Sequence, residues 1–127
     1  MSLRSPLGRA RRGFRQGGAA NHWMAERLPA IALVPLALWF VFVAIISNLG
    51  ASYAQIQAFM AVPLNATLML LTVFCAFFHG ALGLIVIIED YVQNHAVKNA
   101  LVFGTKLYAL FGAVLAAVSI LKLTFGG

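Results

Sequence analysis

One stretch of the sequence, His79 to Tyr91, contains chemically active side chains in or next to an apolar segment, where burying a polar group costs free energy. A charge-free apolar run precedes His79 from Leu64 to Phe78, and apolar residues then continue to Ile88. More than 20 apolar residues in a row are enough to cross a bilayer as a helix. At about 1.5 Å per residue, His79 lies roughly 15 Å from the charged end, near the middle of the membrane. A histidine at that depth needs a partner and is therefore a functional candidate.

The spacing of His79, Gly83, Asp90 and Tyr91 puts most of this chemistry on one side of the helix. Eleven residues separate His79 from Asp90, which at about 100° per residue returns to within roughly 20° of the same direction. Gly83 is one turn from His79 and leaves room for a flat group against the backbone. This layout suits a haem ligand in the bilayer with a polar reaction site at its rim. The alternative is a histidine that hydrogen-bonds a neighbouring helix and binds nothing.

The composition indicates the elements that must position these residues. With 127 residues, 62% of them hydrophobic and 9% charged, the chain is predicted to be an all-α integral membrane protein. We expect a basic tail over residues 1–21 and a three-helix transmembrane domain over 22–127, with spans at about 28–47, 63–88 and 100–123. The segments between spans, 48–61 and 89–99, are predicted to be a polar connection and a loop. Gly104 and Gly112 predict close helix contacts in the third span.

The charges predict an orientation in the membrane. Five arginines precede the first apolar run, and they account for most of the net charge of +6: Arg4, Arg9, Arg11, Arg12 and Arg15. Beside a membrane span such a cluster is a topology signal rather than a nucleic-acid site. The first connection has no Lys or Arg, whereas the second has Lys98. The N-terminus and the Asp90 loop are therefore expected in the cytoplasm of a bacterium, at its inner membrane. A mitochondrial transit peptide is the alternative for the tail.

Two cations lie at or inside the predicted spans. Arg27 stands at the mouth of the first span, where it can snorkel towards Glu26 or a lipid phosphate, or face a ligand carboxylate such as a haem propionate. Lys106 lies within the third span, deeper than a lysine comfortably reaches from water. It is expected to pair with a propionate or with Asp90 across the helix interface, or to form a simple ion pair inside the bundle. His22 lies at the same boundary as Arg27.

The motif His-x3-Gly-x6-Asp-Tyr, present as His79, Gly83, Asp90 and Tyr91, resembles the small cytochrome b membrane anchor of succinate:quinone oxidoreductase, respiratory complex II. The order of an arginine-rich head, a His-Trp-x3-Arg segment and three apolar spans extends the resemblance over nearly the whole chain. The resemblance implies that His79 is an axial ligand of haem b and that Tyr91 contacts ubiquinone, with Asp90 supporting the site. It also favours a role for Arg27 at a haem propionate. From their positions in the sequence we expect that residues around the haem and its propionates include His22, Gly83 and Lys106 as well.

The resemblance also implies partner subunits: a flavoprotein, an iron–sulfur protein and a larger cytochrome b subunit. The larger subunit would supply the second haem ligand, because His22 and His95 both lie at the membrane boundary. The expected function is that of a succinate dehydrogenase anchor passing electrons from the iron–sulfur subunit to ubiquinone, with no catalysis by this chain alone. A fumarate-reducing relative would use the same parts in reverse. The alternative from a different class is a non-redox three-helix scaffold, pore former or transporter accessory subunit.

Overall fold

The computed structural model describes residues 18–126, apart from the side chains of residues 18–20, 22 and 26. Within this range the chain forms helices and no strand. Helix α1 spans Gly18–Trp39 and continues through a π-helical segment, Phe40–Ile45, and a 3₁₀ turn, Ile46–Asn48. A short helix α2 (Tyr53–Ala61) is followed by the long helices α3 (Pro63–Tyr91) and α4 (His95–Thr124). The arginine cluster of the tail lies outside the described residues.

Three of these segments are long and apolar enough to cross a membrane: Trp23–Asn48, Pro63–Tyr91 and His95–Thr124. Large apolar side chains are exposed along them, among them Ile31, Phe103 and Phe111, each more than 60% exposed. Such an apolar surface is stable only when lipid or another protein covers it. The prediction of an all-α membrane protein with three spans is confirmed.

The segment after α1 connects the first two spans, as expected, but residues 53–61 of this connection form a short helix that was not predicted. Ser52 caps α2: its hydroxyl accepts a hydrogen bond from the Gln55 backbone N–H at 3.3 Å, and the Gln55 side chain accepts from the Ser52 N–H at 2.8 Å. This capping box satisfies two backbone donors that a helix start otherwise leaves open. The rings of Trp39 and Phe59 stack at 6.4 Å and join α1 to α2.

The second loop is much shorter than the expected 89–99. Only residues 92–94 separate α3 from α4, because the Asn94 side chain caps α4 by accepting from the N–H groups of Ala96 and Val97 at 3.0 and 3.3 Å. Asp90 and Tyr91 therefore belong to the last turn of α3 rather than to a loop. The short connection places them beside the first turn of α4.

Helix α3 is the central element, since it packs against both α1 and α4. It is in close contact with α4 at Gly112, where an added Cβ would lie 2.5 and 2.8 Å from two carbons of the Phe77 ring. The prediction of a close contact is confirmed at Gly112. It is wrong for Gly104 within the described part of the chain, because a Cβ there would meet nothing within 4 Å. Phe77 is two residues before His79, about 200° around the helix, so His79 is directed away from α4.

Candidate functional site

His79 lies in the middle of α3 on a face that the other helices leave exposed. Together with Leu82, Gly83 and Val86 it lines a shallow concavity of about 190 Å³. The structure therefore brings His79 and Gly83 together on one face, as the helical spacing predicts. A Cβ added at Gly83 would meet nothing within 4 Å, so the backbone beside the imidazole is open.

The imidazole of His79 is the functional group that this face offers to a ligand. Among the residues that the structure describes, no three His, Cys, Asp or Glu side chains gather as a metal-ion site would require. His79 is the one metal-ligating side chain among the residues that line the concavity, so a group bound there would need any further ligand from elsewhere. An apolar helix face with a mid-span histidine and an adjacent glycine accommodates a flat, largely apolar molecule that coordinates nitrogen.

Asp90 and Tyr91 lie at the end of α3, and Asp90 is on the His79 side of the helix, about 16 Å further along its axis. Both side chains are exposed, and Tyr91 is 81% exposed, so its hydroxyl is open to a ligand or a partner protein. Because α4 begins only four residues after Tyr91, His95 lies at the same end of the bundle. This end of the bundle thus combines a carboxylate, a phenol and an imidazole at the expected edge of the membrane.

Arg27 has a partner that the sequence interpretation did not include. Its guanidinium carbon lies 4.8 Å from the centre of the Trp23 ring, a cation–π contact worth about 0.5–1 kcal/mol at an exposed site. The i, i+4 spacing of the two residues on one helix is the signal that would have revealed it. The contact directs the Arg27 side chain towards the N-terminal end of α1. Because α1 and α3 are antiparallel, Asp90 of α3 lies at this same end of the bundle. The side chains of His22 and Glu26, with the roles predicted for them, lie outside the described residues.

Lys106 does not line the His79 concavity. It lies on α4 in the wall of a groove of about 610 Å³ that is formed by α1, α3 and α4, and Leu82 lines both this groove and the His79 concavity. The groove was not foreseen from the sequence, because it depends on how three helices pack rather than on any local pattern. Lys106 is the charged member of an otherwise apolar lining, which comprises Pro29, Phe74, Cys75, Phe77, Phe78, Ala81, Leu82, Ile85, Ala109, Leu110, Ala113 and Val114.

Comparison with known proteins identifies the family. A family model described as succinate dehydrogenase/fumarate reductase transmembrane subunit matches residues 1–121. The chain belongs to this family. It is 32% identical over 106 residues to a protein of Paracoccus denitrificans, covering 83% of this chain and 78% of the relative. It is 29% identical over 101 residues to a protein of Rickettsia typhi, covering 80% of each. Both relatives are named succinate dehydrogenase hydrophobic membrane anchor subunit. No solved structure matches the chain.

The family match confirms the resemblance to a complex II anchor that the His79-to-Tyr91 motif suggested. With three apolar helices of spanning length, the chain is a multi-pass, hydrophobic membrane-anchor subunit of the succinate dehydrogenase type. A subunit of this type associates with the catalytic subunits of its complex. The alternative of an unrelated pore former or transporter accessory subunit is set aside.

Proposed function

We propose that this chain, with a larger cytochrome b subunit, holds haem b and forms the ubiquinone-reduction site of a succinate dehydrogenase. The observation that carries the proposal is the exposed face of α3, which presents His79 beside the open backbone of Gly83 and ends in exposed Asp90 and Tyr91. Electrons would reach this face from an iron–sulfur subunit that is itself reduced by a flavoprotein subunit.

The residues of the His79 face fit a haem. The imidazole offers one axial nitrogen, and the missing side chain at Gly83 leaves space beside it for a flat macrocycle. A b-type haem supplies a one-electron relay inside the bilayer when it is bound. The second axial ligand would come from the larger cytochrome b subunit, since His95 lies at the helix end. Arg27, and His22 near it in sequence, would face the propionates, because a guanidinium matches a carboxylate in a bidentate pair.

Asp90 and Tyr91 are suited to binding a quinone head group at the membrane edge. Reduction of a quinone delivers two electrons and two protons to its carbonyl oxygens. The Tyr91 hydroxyl would donate a hydrogen bond to one carbonyl oxygen, and the Asp90 carboxylate would orient the site and pass protons from water. Both side chains are exposed in this chain, so the larger subunit and the iron–sulfur subunit would complete the pocket around them.

The charge distribution supports a cytoplasmic position for this site. Five arginines precede α1 in the sequence, and among the described residues Arg27 and Lys98 belong to the end of the bundle that carries Asp90, whereas Lys122 lies near the other end. Positive charge is retained on the cytoplasmic side of a bacterial inner membrane. The soluble subunits would therefore dock against the Asp90 end, where electrons enter.

The quinone role is tested by Tyr91→Phe in the complex purified with its partner subunits. Succinate-driven reduction of ubiquinone should fall about fivefold or more, because an unmade hydrogen bond to a buried group costs about 1–3 kcal/mol. Reduction of a soluble artificial acceptor, which bypasses the membrane site, should be unchanged. Tyr108→Phe is the matched control, since Tyr108 is an exposed tyrosine in the middle of α4. Equal ubiquinone reduction by the two variants would remove Tyr91 from the site.

A further inference from the structure

Lys98 lies level with Tyr91 across the contact between α3 and α4. Phe77 and Gly112 lie opposite each other in this antiparallel pair of helices. Tyr91 follows Phe77 by fourteen residues, towards the end of α3. Lys98 precedes Gly112 by the same number, so it lies about 21 Å from the contact, as Tyr91 does. Fourteen residues are close to four helical turns, and both residues are therefore turned by only about 40° from the direction of the contact.

The two helices remain packed together at this level. Ile88, one turn before Tyr91, is 8% exposed and is turned by only about 20° from the direction of Phe77, towards α4. Asn94 caps α4, and its carbonyl oxygen accepts a hydrogen bond from the Lys98 backbone N–H at 2.8 Å. Lys98 is therefore held in the first turn of α4, beside the last turn of α3.

Lys98 differs from the other charged side chains that the structure describes, because it is half-buried. The others are exposed: Arg27, Glu89, Asp90, Lys106 and Lys122. Partial burial of an ammonium group costs free energy unless negative charge lies nearby. Reduction of a quinone bound at Tyr91 would bring negative charge to this end of the two helices. A fixed cation next to a developing negative charge lowers the free energy of the transition state.

We propose that Lys98 is a further residue of the quinone site and supplies the positive charge that stabilises the reduced carbonyl oxygen. This inference rests on the proposed function, because it takes Tyr91 as the hydrogen-bond donor to the same oxygen. An electron from the iron–sulfur subunit gives the carbonyl oxygen negative charge, and the Lys98 ammonium group pairs with it. A proton that Asp90 passes from water then neutralises the oxygen. Two electrons and two protons convert ubiquinone to ubiquinol, and Lys98 keeps its own protons throughout.

The test is succinate-driven ubiquinone reduction by the complete complex carrying Lys98→Met or Lys98→Arg. Methionine keeps the length and the apolar stem of the lysine but removes its charge, whereas arginine keeps the charge. Lys98→Met should lower kcat about tenfold, which corresponds to about 1.4 kcal/mol, and should leave KM within about twofold of wild type. Lys98→Arg should retain most of the rate. Lys122→Met is the matched control near the other end of the same helix and should equal wild type.

A double variant shows whether Lys98 and Tyr91 act on the same oxygen. Groups that act on one oxygen are energetically coupled, so Tyr91→Phe combined with Lys98→Met should lower the rate by less than the product of the two single effects. Reduction of a soluble artificial acceptor should be unchanged in every variant, because it bypasses the membrane site. A double variant whose loss equals that product would contradict the shared oxygen.

The outcomes separate this inference from the proposed function. If Tyr91→Phe lowers the rate but Lys98→Met matches the Lys122→Met control, the quinone site stands and the role of Lys98 is overturned. If Tyr91→Phe leaves the rate unchanged, the quinone site fails and the role of Lys98 fails with it. Equal losses in Lys98→Met and Lys98→Arg, or release of the iron–sulfur subunit by Lys98→Met, would assign Lys98 to packing or docking and overturn the inference.

Discussion

The Phe77 ring of α3 lies close to Gly112 of α4. We predict that this contact sets the rotation of α3 and with it the direction of His79. Gly112→Ala tests this contact by adding a single methyl group. The added Cβ would lie 2.5 and 2.8 Å from two ring carbons of Phe77, whereas carbon atoms in ordinary contact are about 3.5–4.0 Å apart. The ring would have to move by about 1 Å, and the ring is also packed in the wall of the Lys106 groove.

The size of the effect follows from comparison with Gly104→Ala. Both substitutions gain helix propensity, up to about 1 kcal/mol. Gly112→Ala also overpacks a helix interface, which typically costs about 1–3 kcal/mol, and Gly104→Ala meets nothing within 4 Å. The free energies of unfolding of the two variants should therefore differ by about 1–3 kcal/mol. In a Phe77→Leu background the difference should shrink, because the clashing ring is gone.

The assay is thermal unfolding of the detergent-solubilised complex, followed together with its visible spectrum. Gly112→Ala should lower the unfolding midpoint relative to Gly104→Ala and shift the haem signal, since α3 must move or turn. If the two alanine variants were equally stable, or if Phe77→Leu gave no relief, the contact would not position α3.

Two further predictions concern the open helix face and the orientation of the chain. Gly83→Leu should lower the haem content of the complex severalfold without destabilising the fold of this chain, because a Cβ at this position meets no neighbour. Gly104→Leu is the control and should retain haem. Pyridine haemochrome assays of both complexes measure the haem content, and equal content would show that the helix face at Gly83 does not bind haem. In a Cys75→Ser background, a cysteine at Gln93 should react with a membrane-impermeant maleimide from the cytoplasmic side and one at Gln55 from the outside. The opposite labelling would reverse the proposed orientation.

The positions of the site residues around α3 could be predicted from the sequence because they depend on helical geometry alone. His79 and Gly83 share a face because four residues make about one turn, and no tertiary contact is needed to know it. The lengths of the apolar runs predicted three spans for the same reason. The family match then confirmed the resemblance that this motif carried.

What the sequence interpretation missed has two physical causes. Some signals were local and were not read: Ser52 and Gln55 have the spacing of a capping box, and Asn94 is a residue type that favours the N-cap position of a helix. The Lys106 groove had no local signal. It exists because α1 and α4 both pack against α3, and side-chain periodicity within one helix does not contain that information.

The most direct test of the proposed haem-binding role is a dithionite-reduced minus oxidised spectrum of the complex, for wild type, His79→Ala and His95→Ala. The control histidine lies at the start of α4, at the membrane boundary rather than within it. We expect a b-type α-band that is lost or shifted in His79→Ala and retained in His95→Ala, with the partner subunits still bound in both. A band that His79→Ala leaves unchanged, or a wild-type complex without haem, would contradict the proposed role.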